Sequence, residues 1–550
     1  MKQHIITARA PTSTHFPSIR TIVGKETIEI AYSMYLIDES KVSLGKAEWL
    51  FFPRTTNELA STFIEMQKQN QKITISGART GIVGGCVPND NEAIVSLEKM
   101  DKITGIRYDK DTNTWYIKSQ AGVTLKELNE KIISKDFSLE TSCEDDEENL
   151  VKFKEEKQEI FFPIDPTETT ASLGGMVAAD ASGARSYKYG ATRAWVNWIQ
   201  VVLTNGDILD IPRGKYFADN RDFIIKSSTG QDIKVQIPDY QMPKGKNAAG
   251  LFAHSNMDLI DLFIGSEGIL GAITEVEFKL AQKPETITVA QFFPSDEDAI
   301  GFVLDMRQKD KEGIDTEFME FMDSKSLDLL RKRQDEDPKF IDMPLIPPEA
   351  KSVVSFDVEY SDDSLVINKE KLAKLTNKHN SSLALSWAGY EEREKARFKH
   401  FRHALPETVN SMIAERKKTY PNLHKLGTDM AVPPEYFQDM FRTYIQEFEK
   451  ERLEFVIFGH IGDCHVHCNI LPRNMEELEI GKKIYKKFAE IATKYEGTVS
   501  AEHGIGKIKK EYLQIMFQEK DIQGMIGVKK TLDPHLMLNI GTLFDIKDGE

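Results

Sequence analysis

Phe458–Asn469 reads FGHIGDCHVHCN, and Ser500–Lys507 reads SAEHGIGK. Three histidines in one short stretch, with a distant Glu-His pair between small residues, are chemically conspicuous. On an extended strand His465, His467 and Asn469 share one face. Cys464, Val466, Cys468 and Ile470 share the other, as suits a core. His460 precedes them on a loop. Imidazole and carboxylate together suit a borderline divalent metal such as zinc, and protein ligands that leave one position open make a catalytic site. The alternatives are core histidines, a spare ligand or supporting role for His465, and thiolate ligation by Cys464 or Cys468. Glu502 and His503 are adjacent, so a strand would point them apart. Gly504 and Gly506 allow a turn that returns both to one cleft.

Three glycine-rich segments lie upstream. Ser76–Pro88 is SGARTGIVGGCVP, Asp165–Arg193 is DPTETTASLGGMVAADASGARSYKYGATR, and Phe263–Glu275 is FIGSEGILGAITE. Successive amides in such loops cradle a pyrophosphate, and small side chains let a flat cofactor lie against the backbone. A Rossmann fingerprint needs a helix directly after its loop. Here Pro88 and Asn89–Asp90 lead into another strand, which argues against a nicotinamide fold.

The elements that must position these residues alternate along the chain. Residues 72–76, 93–97 and 114–119 read as strands, and residues 192–209 as a hairpin turning at Asn205–Gly206. Thr124 opens a helix with Glu127 as a capping box and Leu125, Leu128 and Ile132 as its apolar stripe. Residues 143–158 are a charge run, read as a solvated insertion or surface helix. After about residue 283 a β-α rhythm sets in: strands near 287–293, 317–322 and 353–360, with helices from Ser295, Ser324 and Ser364. Strands at 455–458 and 464–471 follow, then a helix over 474–496 ended by Gly497. The last fifty residues hold a short strand and one or two helices.

The chain has 550 residues, 40% hydrophobic and 29% charged, and a net charge of -16. That composition buries several cores and disfavours nucleic acid and anionic lipid as partners. Its four cysteines, Cys86, Cys143, Cys464 and Cys468, form no C-x-x-C pair and suit a reducing compartment. No apolar run is long enough to span a membrane. Residues 1–25 are basic without acidic residues, faintly similar to a mitochondrial transit peptide, but Pro11 and Pro17 interrupt any amphipathic helix. A cytoplasmic location is expected, with peripheral membrane association or mitochondria as alternatives.

Together the three loops resemble the PCMH-type FAD-binding domain of the vanillyl-alcohol oxidase superfamily. The closer resemblance, from about residue 46 to the C-terminus, is to its FAD-linked 2-hydroxy acid dehydrogenases. That branch includes D-lactate dehydrogenase, D-2-hydroxyglutarate dehydrogenase and the glycolate oxidase large subunit. The resemblance implies an α+β protein. Residues 1–45 form an arm, and 46–282 an FAD domain of two α+β subdomains. Residues 283–497 form an α+β cap with a mostly antiparallel sheet, and 498–550 a segment completing the flavin site.

It also implies FAD contacts from Arg79, Thr80, Gly81, Gly84 and Gly85, from Pro166, Thr167, Ser172, Gly174, Gly175 and Gly183, and around Ile273. The first loop has no His, so FAD is expected to be non-covalent. The family's G-H-x-x-D-x-x-x-H and A-E-H-G motifs map the metal onto His460, His467 and Glu502, and the base onto His503. A small 2-hydroxy acid needs a cation for its carboxylate. FRHALPETV resembles the family's R-x-x-[IL]-P-E stretch, making Arg402 the candidate and Lys425, in HKLGTDMAVP, the second. Asp429 matches the Asp of D-V-[AS]-V-P. The implied chemistry is oxidation of a D-2-hydroxy acid, with electrons leaving to a quinone, cytochrome or electron-transfer flavoprotein; a homodimer is allowed. The rival readings are an ether-lipid-synthase-like enzyme, whose relatives carry His where Glu502 stands, and a zinc-binding scaffold. Relatives end L-N-P-G-K, whereas Leu538–Thr542 reads LNIGT.

Overall fold

The computed structural model describes residues 4–12, 19–139, 144–308, 314–337, 340, 343–360 and 362–546. Lys2, Pro17 and Cys143, where the charge run begins, lie outside them. The fold is α+β. Strands Arg20–Val23, Trp49–Phe52, Ala93–Ser96 and Ile73–Ser76 form one small sheet, its last three strands parallel. A second sheet is antiparallel, in the order Ile208–Pro212, Val196–Val202, Ala272–Lys279, Thr114–Gln120, Ile103–Asp109. The first glycine loop connects Ile73–Ser76 to Ala93–Ser96 without a helix, as its Pro and Asn-Asp require.

The expected hairpin forms, with Val202 opposite Ile208. Thr124 caps Leu125–Ser134, Glu127 completes the box, and Leu125, Leu128 and Ile132 are buried. The charge run is the helix Glu144–Glu155; among its described side chains Phe153 alone is fully buried, against Trp115 and Phe137.

The later part of the chain builds a seven-stranded sheet. Its order is Ser386–Gly389, Thr286–Phe293, Ser352–Glu359, Thr316–Met322, Phe455–Gly459, His467–Ile470, Leu426–Gly427, antiparallel throughout. Every residue of Thr286–Phe293 is buried, because the sheet is covered on both faces. Asp296–Met306 is capped by Ser295 and Met475–Lys494 by Asn474.

Two expectations need correction. The strand expected at 464–471 begins only at His467. Ile461–Asp463 is a short helical turn, and Cys464 is left-handed at φ 54°. Gly462 packs closely on the Tyr187 ring, where a Cβ would lie 3.0 Å from the ring. Among the described residues the last fifty hold helices Lys510–Met516 and Glu519–Leu532 but no strand, only a bridge between Leu538 and Ile73. No helix of the described residues is long and apolar enough to cross a membrane.

Candidate active site

The three glycine segments converge. Ala78 N donates to Ser172 Oγ at 3.3 Å, joining the first two, and Glu267 N donates to Ala178 O at 2.8 Å, joining the second and third. Gly174 and Gly183 let main chains touch: a Cβ would lie 2.5 Å from Ala121 Cβ and 2.1 Å from Asp165 O, respectively. At Gly81 a Cβ would meet nothing within 4 Å, so this part of the loop faces open space. Nearby in chain to these glycines, Ser182 Oγ is buried without a hydrogen-bond partner. A cradle of backbone with room at Gly81 and an orphan hydroxyl fits the phosphates and ring of FAD.

The other expected contacts are placed as follows. Gly84 is left-handed at φ 71° and Gly85 faces Glu267. Gly175 packs against Ser172, and Ile273 is buried on the strand Ala272–Lys279. Thr80 is half-buried, Pro166 and Thr167 lie on the loop before helix Leu173–Ala179, and Thr167 is exposed. The Arg79 guanidinium lies 4.3 Å above the Tyr35 ring and 3.7 Å from Glu98, and its Nη1 donates to Gly77 O at 3.2 Å within the loop. In LNIGT, Asn539 accepts from Ile75 N at 2.8 Å and donates to Glu267 O at 2.9 Å, so this segment clamps the strand leading into the first loop to the third loop.

The histidine centre lies where neighbouring strands of the large sheet end. Gly459 opposes Phe321 and His467 opposes Phe458, which brings Glu320, His460 and His467 together. His460 Nε2 is 3.3 Å from Glu502 Oε2, and His467 Nε2 is 3.1 Å from Glu502 Oε1. His467 Nδ1 bonds Thr428 O at 2.9 Å and His460 Nδ1 is 2.5 Å from Glu320 Oε1. Those outer partners turn both Nε2 atoms inward, as carboxylate–histidine–metal triads do. His460, His465, His467 and Glu502 offer ligand atoms within 4.8 Å of one another, a donor set that fits zinc. Among the described residues no cysteine joins such a group; Cys464 and Cys468 are buried in the core, as expected.

Asp429 organises the rest. Its carboxylate accepts from Glu502 N at 3.3 Å, His503 N at 3.1 Å, Ser500 Oγ at 2.5 Å and Lys509 Nζ at 3.0 Å. Residues Ser500–Lys507 are thereby wrapped into a turn, with Gly504 and Gly506 at φ 75° and 55°, and Glu502 and His503 face one cleft despite being adjacent. His503 Nδ1 lies 3.2 Å from Asp429 Oδ2 and Nε2 3.5 Å from Glu502 Oε1, with the ring stacked on His467. His465 is fully buried, 3.2 Å from Asp429 Oδ1, and burial pushes its pKa down to about 3.

Charge is dense here. Burial pushes the Glu502 and Asp429 carboxyls up, but Lys246 and His460 around the first, and His503 and Lys509 around the second, hold both well below the usual range. Burial opposes a charged His460, yet Glu320 and Glu502 raise it to about 10. Glu320, against its burial, is pulled down to about 2 by His460 and Arg402.

Arg402 lies on the long helix Glu392–Lys417, whose internal Pro406 removes the helical donor to the Arg402 carbonyl. Its guanidinium is 3.5 Å from Glu320 and 4.7 Å above Phe318, and its buried Nε has no partner. Lys425 stands just before strand Leu426–Gly427, and burial lowers its pKa. It is not brought to Glu502, whereas Lys246, which no motif marks, lies 2.8 Å from it. Glu320 was equally unmarked, although two carboxylates, Glu317 and Glu320, among the large apolar residues of the strand TEFMEFM are a signal. A cleft of about 490 Å³ opens beside Lys246 and Asp463 and runs past Ser186, Gly190 and Arg193.

Residues 282–543 match the C-terminal domain of the FAD linked oxidases, and residues 47–151 and 149–212 match an FAD binding domain. The chain is 28% identical to a D-lactate dehydrogenase of Anaerostipes hadrus, over 95% of this chain and 94% of the relative. It is 26% identical to the glycolate oxidase subunit GlcD of Bacillus subtilis, covering 93% and 92%. A D-2-hydroxyglutarate dehydrogenase of Stutzerimonas stutzeri is 25% identical, covering 90% of each. Among solved structures, an alkyldihydroxyacetonephosphate synthase superposes with a TM-score of 0.58 at 15% identity, over 90% of this chain and 77% of the other, a likeness of fold.

Proposed function

The chain belongs to the FAD-linked oxidases, and from that premise we propose that it oxidises a small D-2-hydroxy acid to the 2-oxo acid. The observation that carries this reading is the pairing of His503 with a three-ligand centre beside it. The relatives' names favour hydroxy acids. We read residues 46–282 as the flavin domain, 283–497 as the cap and 498–550 as the segment that closes the flavin site, supported by the clamp from Asn539.

The three glycine segments would hold FAD, which would supply the hydride acceptor. His460, His467 and Glu502 would hold a divalent metal, which would supply a Lewis acid to acidify the substrate hydroxyl. Arg402, whose side chain is 25% exposed, offers its guanidinium to the substrate carboxylate. His503 Nε2 takes the hydroxyl proton, while Asp429 holds Nδ1 and stabilises the imidazolium that forms. The carbon loses hydride and the oxygen loses its proton, so a 2-oxo acid leaves. Glu320 orients His460 and balances Arg402. Anaerobic bleaching of the flavin by a panel of D- and L-hydroxy acids is the test: a flavin that no member of the panel reduces sinks the reading.

A further inference from the structure

Lys246 is buried beside the proposed centre and has no part in the steps above. Its side chain is 6% exposed, with Nζ 2.8 Å from Glu502 Oε2 and 3.9 Å from Asp463 Oδ2. The main chain holds it there from both sides: Lys244 N donates to Glu496 O at 3.0 Å and Ala248 N to Ser500 O at 2.9 Å. It also lines the cleft that runs past Asp463 and Ser186.

A buried ammonium is costly unless it is paired. One of its partners, Glu502, is the carboxylate that the proposed metal would share. The other, Asp463, stands farther off and already accepts from Ser186 Oγ at 2.5 Å. With Glu502 so engaged, the ammonium keeps donors for an anion arriving through the cleft. Arg402 differs in its partner: its guanidinium pairs with Glu320, which in turn holds His460. The two cations therefore stand at opposite ends of the chain Arg402, Glu320, His460, Glu502, Lys246.

We propose that Lys246 is a second substrate-binding cation, receiving a carboxylate oxygen on the cleft side of Glu502 while Arg402 serves the Glu320 side. This rests on the hydroxy-acid reading. A charge-assisted hydrogen bond of this kind is worth about tenfold to a hundredfold in binding.

The test compares holoenzyme with Lys246→Met and Lys246→Arg. In the Met variant KM for D-lactate should rise by about tenfold or more, well beyond any fall in kcat, and the Arg variant should recover most of it. Oxalate, a non-reacting diacid, should perturb the flavin absorbance of the wild type at concentrations about tenfold lower than in the Met variant. Zinc and flavin content should stay at the wild-type level. An unchanged KM and oxalate affinity would overturn the proposal. So would loss of zinc together with kcat at unchanged oxalate affinity, which makes Lys246 only a counter-ion. If D-lactate and every other hydroxy acid fail to reduce the wild-type flavin, the function reading falls, and the oxalate titration still decides Lys246.

Discussion

His503 Nδ1 lies 3.2 Å from Asp429 Oδ2, and the same carboxylate oxygen accepts the main-chain N–H of His503 at 3.1 Å. One buried aspartate thus sets both the backbone turn and the ring orientation of the proposed base. The carboxylate holds the proton on Nδ1 and leaves Nε2 facing Glu502, the side on which a substrate hydroxyl must lie.

Replacing His503 with Ala should keep the flavin spectrum and slow its reduction by about a hundred- to ten-thousand-fold. Asp429→Asn should fall between wild type and His503→Ala in anaerobic stopped-flow reduction. Wild-type rates in both variants would remove His503 from the chemistry.

Metal removal tests the centre separately. Dialysis against a chelator should cut turnover by about tenfold or more, and zinc should restore it. Glu502→Gln should lower bound zinc, measured by elemental analysis, while FAD stays bound. A chelated protein with full turnover would discard the metal from the reading.

The glycine contacts predict steric failure rather than lost chemistry. A Cβ on residue 183 would lie 2.1 Å from Asp165 O. Gly183→Ala should therefore cost about 1–3 kcal/mol of stability and weaken FAD retention. Gly81→Ala, where a Cβ meets nothing within 4 Å, should leave apo-protein stability within about 0.5 kcal/mol and still weaken FAD binding. Equal apo-protein melting losses in both variants would contradict this division.

A pH effect follows from Asp296, on the helix Asp296–Met306. Burial, then Asp323 and Glu297, push the Asp296 carboxyl up to about 8. The unfolded chain ionises this group near pH ~4, so the native state holds a proton that the unfolded state has lost over the interval between. Its contribution is complete below pH ~4 and disappears as pH rises through about 8. Asp296→Asn should therefore raise the melting temperature more at about pH 8 than at about pH 5, at constant excess FAD. An equal shift at both pH values contradicts the assignment.

Much of the local structure was legible before any tertiary contact. The strand-to-strand passage of Ser76–Pro88 followed from Pro88 and Asn89–Asp90, and the Thr124 cap from Glu127, because turn and capping chemistry act over three or four residues. Three histidines at 460, 465 and 467 and the distant Glu502–His503 pair stood out by side-chain chemistry, while the choice of His460, His467 and Glu502 as ligands came from the family resemblance. The strand expected from Cys464 did not form there, since alternation says nothing about a left-handed backbone at Cys464.

What the sequence by itself determined is therefore the inventory: three cofactor-type loops in order, and histidines and a glutamate able to bind metal. Tertiary structure alone decided who stands behind them. Glu320 orients His460 across 140 residues, and Lys246 meets Glu502 across 256. The turn that lets adjacent Glu502 and His503 share one cleft closes on Asp429, 73 residues from Glu502. Side-chain type is a local property, but the partner that fixes a tautomer or balances a buried charge comes from whichever strand or loop the fold packs against it.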